Sequence, residues 1–187
     1  MNNFKRKVLA AAICLFTFSV GAAEHTTSTP VVPGTQGQGV INFKGTIIDA
    51  PCGIAPDSVE QSVDFGQISK AHLEANGTSK KHPLKIKLVN CDATALSKTG
   101  SVKVAFSGTA VKGQIKELGT ASDTGTSIII SEAGGNLVSF DGTPGIITKL
   151  NKRDNTLIYS TWVKKATGGN LKEGEFSAVA NFNLTYE

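Results

Sequence analysis

The residues able to do chemistry in this 187-residue chain are few and scattered. The three histidines, His25, His72 and His82, stand far apart, and none has an Asp or Cys partner at the spacing of a metal site or a catalytic triad. His25 lies in a polar lead and His82 directly precedes Pro83, so all three read as solvated loop residues. Asp123-Thr124-Gly125-Thr126 offers one carboxylate where a cation loop needs several at alternate positions, and it reads as a turn. Lys149 to Asp154 and Lys164-Lys165 read as exposed loop and strand-end charges. Trp162, inside an apolar run, reads as a core or sheet-face aromatic rather than a sugar platform. No catalytic residue, cofactor or metal site is expected, and no enzyme.

The cysteines carry the one covalent reading. Met1 to Lys7 holds Lys5, Arg6 and Lys7, Val8 to Val20 is apolar, and Gly21-Ala22-Ala23 supplies small residues. This is the plan of a secretory signal over residues 1–23, cleaved after Ala22 or Ala23. Its apolar stretch is too short for a mature membrane anchor. Removing its three basic residues takes the formal charge from +4 to +1, so the basic balance is an export tag and not a nucleic-acid footprint. Cys14 leaves with the signal, and Cys52 and Cys91 remain as an even pair in an oxidising compartment. A bridge between them closes a loop of about 40 residues, worth ~4 kcal/mol in the chain-entropy account.

The elements that must position these residues are short strands. About 164 residues follow the signal, enough for one domain with a core. Residues 24–39 are rich in Thr, Pro, Gly and Gln and read as an extended, unstructured lead. Strands are expected at Val40–Ile48, Ser62–Phe65, Leu84–Asn90, Val102–Phe106, Ser127–Ser131, Leu137–Phe140, Thr156–Val163 and Phe176–Tyr186. Turn pairs such as Asn76-Gly77, Gly134-Gly135, Asp141-Gly142 and Gly168-Gly169 separate them, and only Ile68–Ala75 suggests a helical turn. Twenty glycines and the lack of any long helical period argue an all-β sandwich of antiparallel strands.

Two of these strands pose a problem of partners. Phe176, Ala178, Ala180, Phe182, Leu184 and Tyr186 share one parity up to the last residues, with mostly polar residues between them. That is the period of a half-buried strand, and no residues follow to fold back beside it. Near the other end Gly39, Ile41, Phe43, Gly45 and Ile47 form a second alternating stretch. One strand lacks a neighbour and another is one to spare.

The residues that carry these features resemble a known family. The segment from Gly39 through Ile41, Phe43, Gly45 and Ile47 to Asp49-Ala50-Pro51-Cys52 is similar to the start of chaperone–usher pilins. Val63-Asp64-Phe65-Gly66 and Leu88-Val89-Asn90-Cys91 match the family's next landmarks. Gly174, fourteenth from the end, and Tyr186, penultimate, match its chaperone-recognition motif. In detail the stretch FSAVANFNLTY and the DAPC tetrapeptide most resemble major rod subunits of P-pilus-type fimbriae.

The resemblance implies an incomplete immunoglobulin-like β-sandwich lacking its final strand, with a signal at 1–23, an N-terminal extension at 24–48 and a pilin domain at 49–187. It implies a groove beside the C-terminal strand, edged by Gly174, Phe176, Ala178, Ala180, Phe182, Leu184 and Tyr186. A periplasmic chaperone fills that groove first, and in the fibre a neighbouring subunit's donor strand (Gly39, Ile41, Phe43, Gly45, Ile47) replaces it. Partners are then the chaperone, an outer-membrane usher and identical or related pilins, with the product on the cell surface. A tip adhesin needs a further lectin domain that about 164 residues cannot hold. A minor adaptor, initiator or terminator subunit is the alternative to the major rod subunit.

Overall fold

A computed structural model describes residues 37, 39–98 and 100–187. The expected signal at 1–23 and most of the expected lead lie outside the described residues. The chain divides into two units, Met1–Gly45 and Thr46–Glu187. In the first, residues 39–45 are exposed and carry no regular secondary structure. The strand expected at Val40–Ile48 is therefore not formed in this single chain, although its period of two is plain. A strand needs a hydrogen-bonding neighbour, and the described residues offer this segment none.

The second unit is the sandwich. In chain order its elements are β1 (Gly53–Ile54), α1 (Pro56–Val59), α2 (Lys70–Glu74), β2 (His82–Val89), α3 (Ala93–Leu96), β3 (Ser101–Gly108), β4 (Ala110–Val111), β5 (Gln114–Gly119), β6 (Thr126–Glu132), β7 (Asp141–Pro144), β8 (Thr148–Lys149), β9 (Asn155–Lys165) and β10 (Ala180–Tyr186). One sheet runs β1-β2-β9-β6-β5-β4 and the other β10-β3-β7, with β8 also on β3. All pairs are antiparallel, as the short turn-separated strands require.

Sequence pattern explains the layers. Along β9 the alternate residues Leu157, Tyr159, Thr161 and Val163 turn inward and are buried, while Ile158 stays exposed. β2 adds Ile86 and Leu88, and β3 faces them with Val102, Val104 and Phe106. β6 differs, because Thr126 to Ser131 are buried without a break, the mark of a strand covered on both faces. The helical turns α2 and α3 have side-chain caps. Ser69 accepts from the His72 amide at 3.4 Å and Asp92 from the Ala95 amide at 2.6 Å, and each turn buries one leucine, Leu73 and Leu96. Gly125, at φ +68°, lies so close to Asn170 that a Cβ would sit 2.3 Å from its carbonyl oxygen. That contact lets the loop before β10 cross the start of β6.

Three expected strands differ here. Ser62–Phe65 is irregular, and among the described residues no strand runs beside it. Leu137–Phe140 makes only an isolated bridge to Ser131, and its amides reach the carbonyls of Ile130 and Ile115 as it passes between sheets. The terminal strand begins at Ala180 and not at Phe176, with the Ser177 carbonyl taken by the Ala121 amide at 2.8 Å.

A buried polar cluster fixes β5, β6 and β9 on the outer face. Glu117 accepts from Lys164 Nζ at 2.7 Å, from the Thr167 hydroxyl at 2.6 Å and amide at 2.9 Å, and from Ser127 at 3.2 Å. Burial pushes its carboxyl up, but the Lys164 ammonium and the Thr167 donors outweigh that and hold it below its usual value. Lys164→Met would leave this carboxylate without its cation, and urea denaturation should show a loss of about 2–3 kcal/mol at neutral pH. The depressed group stabilises the fold fully above the ordinary carboxylate value of 4.5 and loses that contribution as pH falls below it. The gap between wild type and Glu117→Gln should therefore narrow on acidification, and a gap independent of pH would remove the carboxylate as its cause.

Candidate functional site

The feature that stands out is an edge. β10 pairs with β3 in a continuous register, Tyr186 opposite Val102, Leu184 opposite Val104, Phe182 opposite Phe106 and Ala180 opposite Gly108. β7 and β8 occupy the other edge of β3, whereas the second edge of β10 has no strand beside it among the described residues. Such an edge presents a row of unpaired backbone donors and acceptors.

Beside that edge runs an open groove of about 720 Å³. Its floor is apolar core from both sheets: Phe106, Leu118, Ile128 and Ile130. One rim is Phe176 to Phe182, and the other is Ile54 with Ser58 to Val63. Phe176, Ala178, Ala180, Phe182, Leu184 and Tyr186 all pack against the core, yet none is fully buried, because half of their cover is absent. Each larger side chain there, already half covered, stands to gain about half of the ~1.5–3 kcal/mol that complete burial is worth. Aromatic contacts brace the floor, Phe106 lying 5.1 Å from Tyr159 and 6.4 Å from Phe182 between ring centres.

Both ends of the groove are anchored. At one end Cys52 and Cys91 are joined in a disulfide, and the Tyr186 hydroxyl donates to the Cys52 carbonyl at 3.4 Å. Burial raises the Tyr186 phenol above its ordinary value, so it stays protonated as a donor. Glu187 continues the ladder through paired backbone bonds with Ser101 and pairs its carboxylate with Lys103 at 2.7 Å. At the other end Phe65 lies 6.3 Å from Phe176, where a second hollow of about 1030 Å³ opens beneath Gly174. Gly174 has φ +144°, a backbone conformation that disfavours any side chain, and so a glycine stands where the chain turns into the terminal segment.

The sequence-expected donor residues Gly39, Ile41, Phe43, Gly45 and Ile47 are all exposed, Phe43 at 89% and Ile47 at 102%, and a Cβ at Gly45 would meet nothing within 4 Å. The floor residues Leu118 and Ile128 and the rim residues Val59, Glu60 and Val179 were not singled out from sequence. Of these, Ile128 fell within the expected strand Ser127–Ser131 and Val179 within the expected terminal strand. The remaining chemical candidates have structural settings. His72 Nε2 lies 3.0 Å from the Thr78 carbonyl, His82 stacks edge-on to Phe65, Asp123 pairs with Lys172, and Lys81 lies 4.5 Å over the Trp162 ring. Among the described residues no three metal-ligating side chains cluster.

Fold and groove together define a class: an immunoglobulin-like sandwich in which, among the described residues, the outer edge of β10 and the groove beside it are left open. Comparison with known proteins places the chain more closely. Residues 41–187 match the family model described as fimbrial protein. The chain is similar to the Pap fimbrial major pilin protein of Escherichia coli, 47% identical over 97% of this chain and 99% of that one, and to the major MR/P fimbria protein of Proteus mirabilis, 36% identical over 81% and 86%. Among solved structures it is similar to the P pilus rod subunit PapA, 50% identical with a TM-score of 0.70 over 74% of this chain and all of that one. It is also similar to a subunit of a chaperone–usher pilus studied for rod uncoiling, 49% identical with a TM-score of 0.77 over 85% of this chain and all of the other. The chain belongs to the fimbrial protein family and is a structural subunit of a surface fimbria, not an enzyme.

The open edge has a direct readout in hydrogen exchange. Along β10, alternate amides bond to β3 and the others face the groove, so the isolated subunit should show fast and slow exchange alternating residue by residue from Ala180 to Tyr186. Uniform protection along β10 would mean that the edge is covered.

Proposed function

We propose that this chain is the major rod subunit of its fimbria and polymerises by donor-strand exchange. The observation that carries the reading is the match between two unsatisfied features. β10 offers a half-covered apolar face beside an unpaired edge, and residues 39–47 offer exposed apolar side chains with the same period and no partner. An extended segment laid along β10 would gain main-chain hydrogen bonds and bury Ile41, Phe43 and Ile47 over the floor, in the manner known for chaperone–pilin strand complementation, from which the mechanism is borrowed.

Before assembly the exposed groove needs protection, since an unpaired apolar edge pairs with whatever it meets. A periplasmic chaperone supplies it, and an outer-membrane usher receives the complex. The similarity to major pilins over nearly the whole chain favours the rod subunit over a minor adaptor, initiator or terminator. Microscopy of cells with and without the gene separates these, because loss of all rod length marks the major subunit.

Two substitutions divide polymerisation from folding. Gly45→Asn adds a side chain to the donor where the alternation leaves a gap, while the groove is untouched. Chaperone binding should survive and fibre growth should fail, as followed by size-exclusion chromatography and microscopy. Fibres of normal length from Gly45→Asn would end the donor assignment. A charge at Phe182 faces the apolar floor unpaired, and should abolish the one-to-one chaperone complex.

A further inference from the structure

The groove lining and the segment proposed to fill it each carry a single charged side chain. In residues 39–48 that group is Lys44. Among the residues lining the groove it is Glu60. Both are exposed, and among the described residues neither makes an ion pair. Some nearby charges are already committed: Asp57, three residues before Glu60, pairs with Lys87, and in the adjoining hollow Asp64 accepts the Gly66 amide at 2.8 Å while Lys172 pairs with Asp123. Lys70, Glu173 and Glu175 also line that hollow, and the last two are the rival partners for a lysine there.

Resting on the donor-strand reading above, we propose that Lys44 of one copy pairs with Glu60 of the next and so sets the register of the inserted strand. Period-two geometry places the two on the same side. Phe43 and Gly45 belong to the apolar parity that faces the floor, so Lys44 between them points outward toward the rim. Adjacent strands lie about 4.8 Å apart, a span that the four-carbon lysine stem crosses easily. That stem would lie over Val59, which stands on the same rim as Glu60 and is 64% exposed. The remaining outward residues of the donor, Val40, Asn42, Thr46 and Ile48, and those of the Phe176–Phe182 rim, Ser177, Val179 and Asn181, carry no charge. A slip of two residues keeps apolar residues facing the floor but carries Lys44 away from Glu60. The ion pair therefore discriminates between registers that the apolar alternation leaves nearly equivalent.

The test uses the full-length subunit delivered in complex with its chaperone and a synthetic peptide copying residues 39–48, with uptake followed on native gels. Glu60→Lys in the subunit should slow uptake of the natural peptide by about three- to tenfold, and Lys44→Glu in the peptide should do the same with the natural subunit. Combining the two should restore uptake to within about twofold of the natural pair. The single-variant defects should fade near 1 M salt, where the screening length falls to about 3 Å. Glu60→Gln, which adds no repulsion, should give a smaller defect of the same sign. Additive defects in the combination, or rescue of the Lys44→Glu peptide by Asp64→Lys or Glu175→Lys instead, would overturn the pairing. A Gly45→Asn peptide separates the two levels. If the natural subunit takes it up as readily as the natural peptide, the donor reading itself fails; if it is refused while the charge variants show no coupling, only the Lys44–Glu60 assignment fails.

Discussion

The structure depends on one missing interaction, the second row of hydrogen bonds along β10. A seven-residue strand at the edge of a sandwich would ordinarily be short, charged or covered. Here it is apolar on its inner parity, uncharged on its outer one, and backed by core side chains from both sheets. Every unusual feature of the groove follows from this. Phe176 through Tyr186 pack on the core yet stay half-exposed, and residues 60–66 lie opposite as irregular chain instead of a strand. The missing strand also removes the neighbour that Ser62–Phe65 would need.

An open groove of this kind survives only on a stiff frame, since closing it would release apolar surface from water. Closure requires β10 to move toward the opposite rim, and the anchors oppose that. At one end Tyr186 is tied to the carbonyl of a disulfide-bonded cysteine, and Glu187 holds Ser101 through paired backbone bonds. Between them the seven-residue register with β3 would have to break. In the larger sheet the Glu117 cluster and the doubly buried β6 fix the strands that supply Leu118, Ile128 and Ile130 to the floor. The disulfide thus lies at the end of the groove, where constraint on the chain bears on the rim as well as on stability.

Much of this was legible in sequence where one residue in two is apolar. β2, β3, β6, β9 and β10 were all found from alternation or from a buried run between turn pairs, and the even cysteine count pointed to the pair that the structure joins. What stayed hidden depends on tertiary contact. β5 mixes Lys116, Glu117 and Leu118 without clean alternation, because Glu117 is buried on the outer face by Lys164 and Thr167, a pairing that no local pattern announces. β7, β8 and α1 are too short to carry a period. Val40–Ile48 shows the opposite case: its pattern is that of a strand, and the described residues give it nothing to pair with. Alternation reports what a segment can bury, not whether the same molecule supplies the partner.

That distinction bears on what kind of assembly the chain can make. A groove and an exposed apolar segment on different parts of one molecule form a heterologous pair of surfaces, unlike the self-complementary patch of a two-fold dimer. On the donor-strand reading, each copy that accepts a segment still presents its own, and association does not close unless the geometry bends it into a ring. Growth then proceeds one subunit at a time with a single polarity, and the number of subunits is left open. The same reading explains why the apolar alternation occurs twice in one sequence. On that reading the two stretches are halves of one inter-subunit layer, and neither is fully buried until a second molecule brings the other.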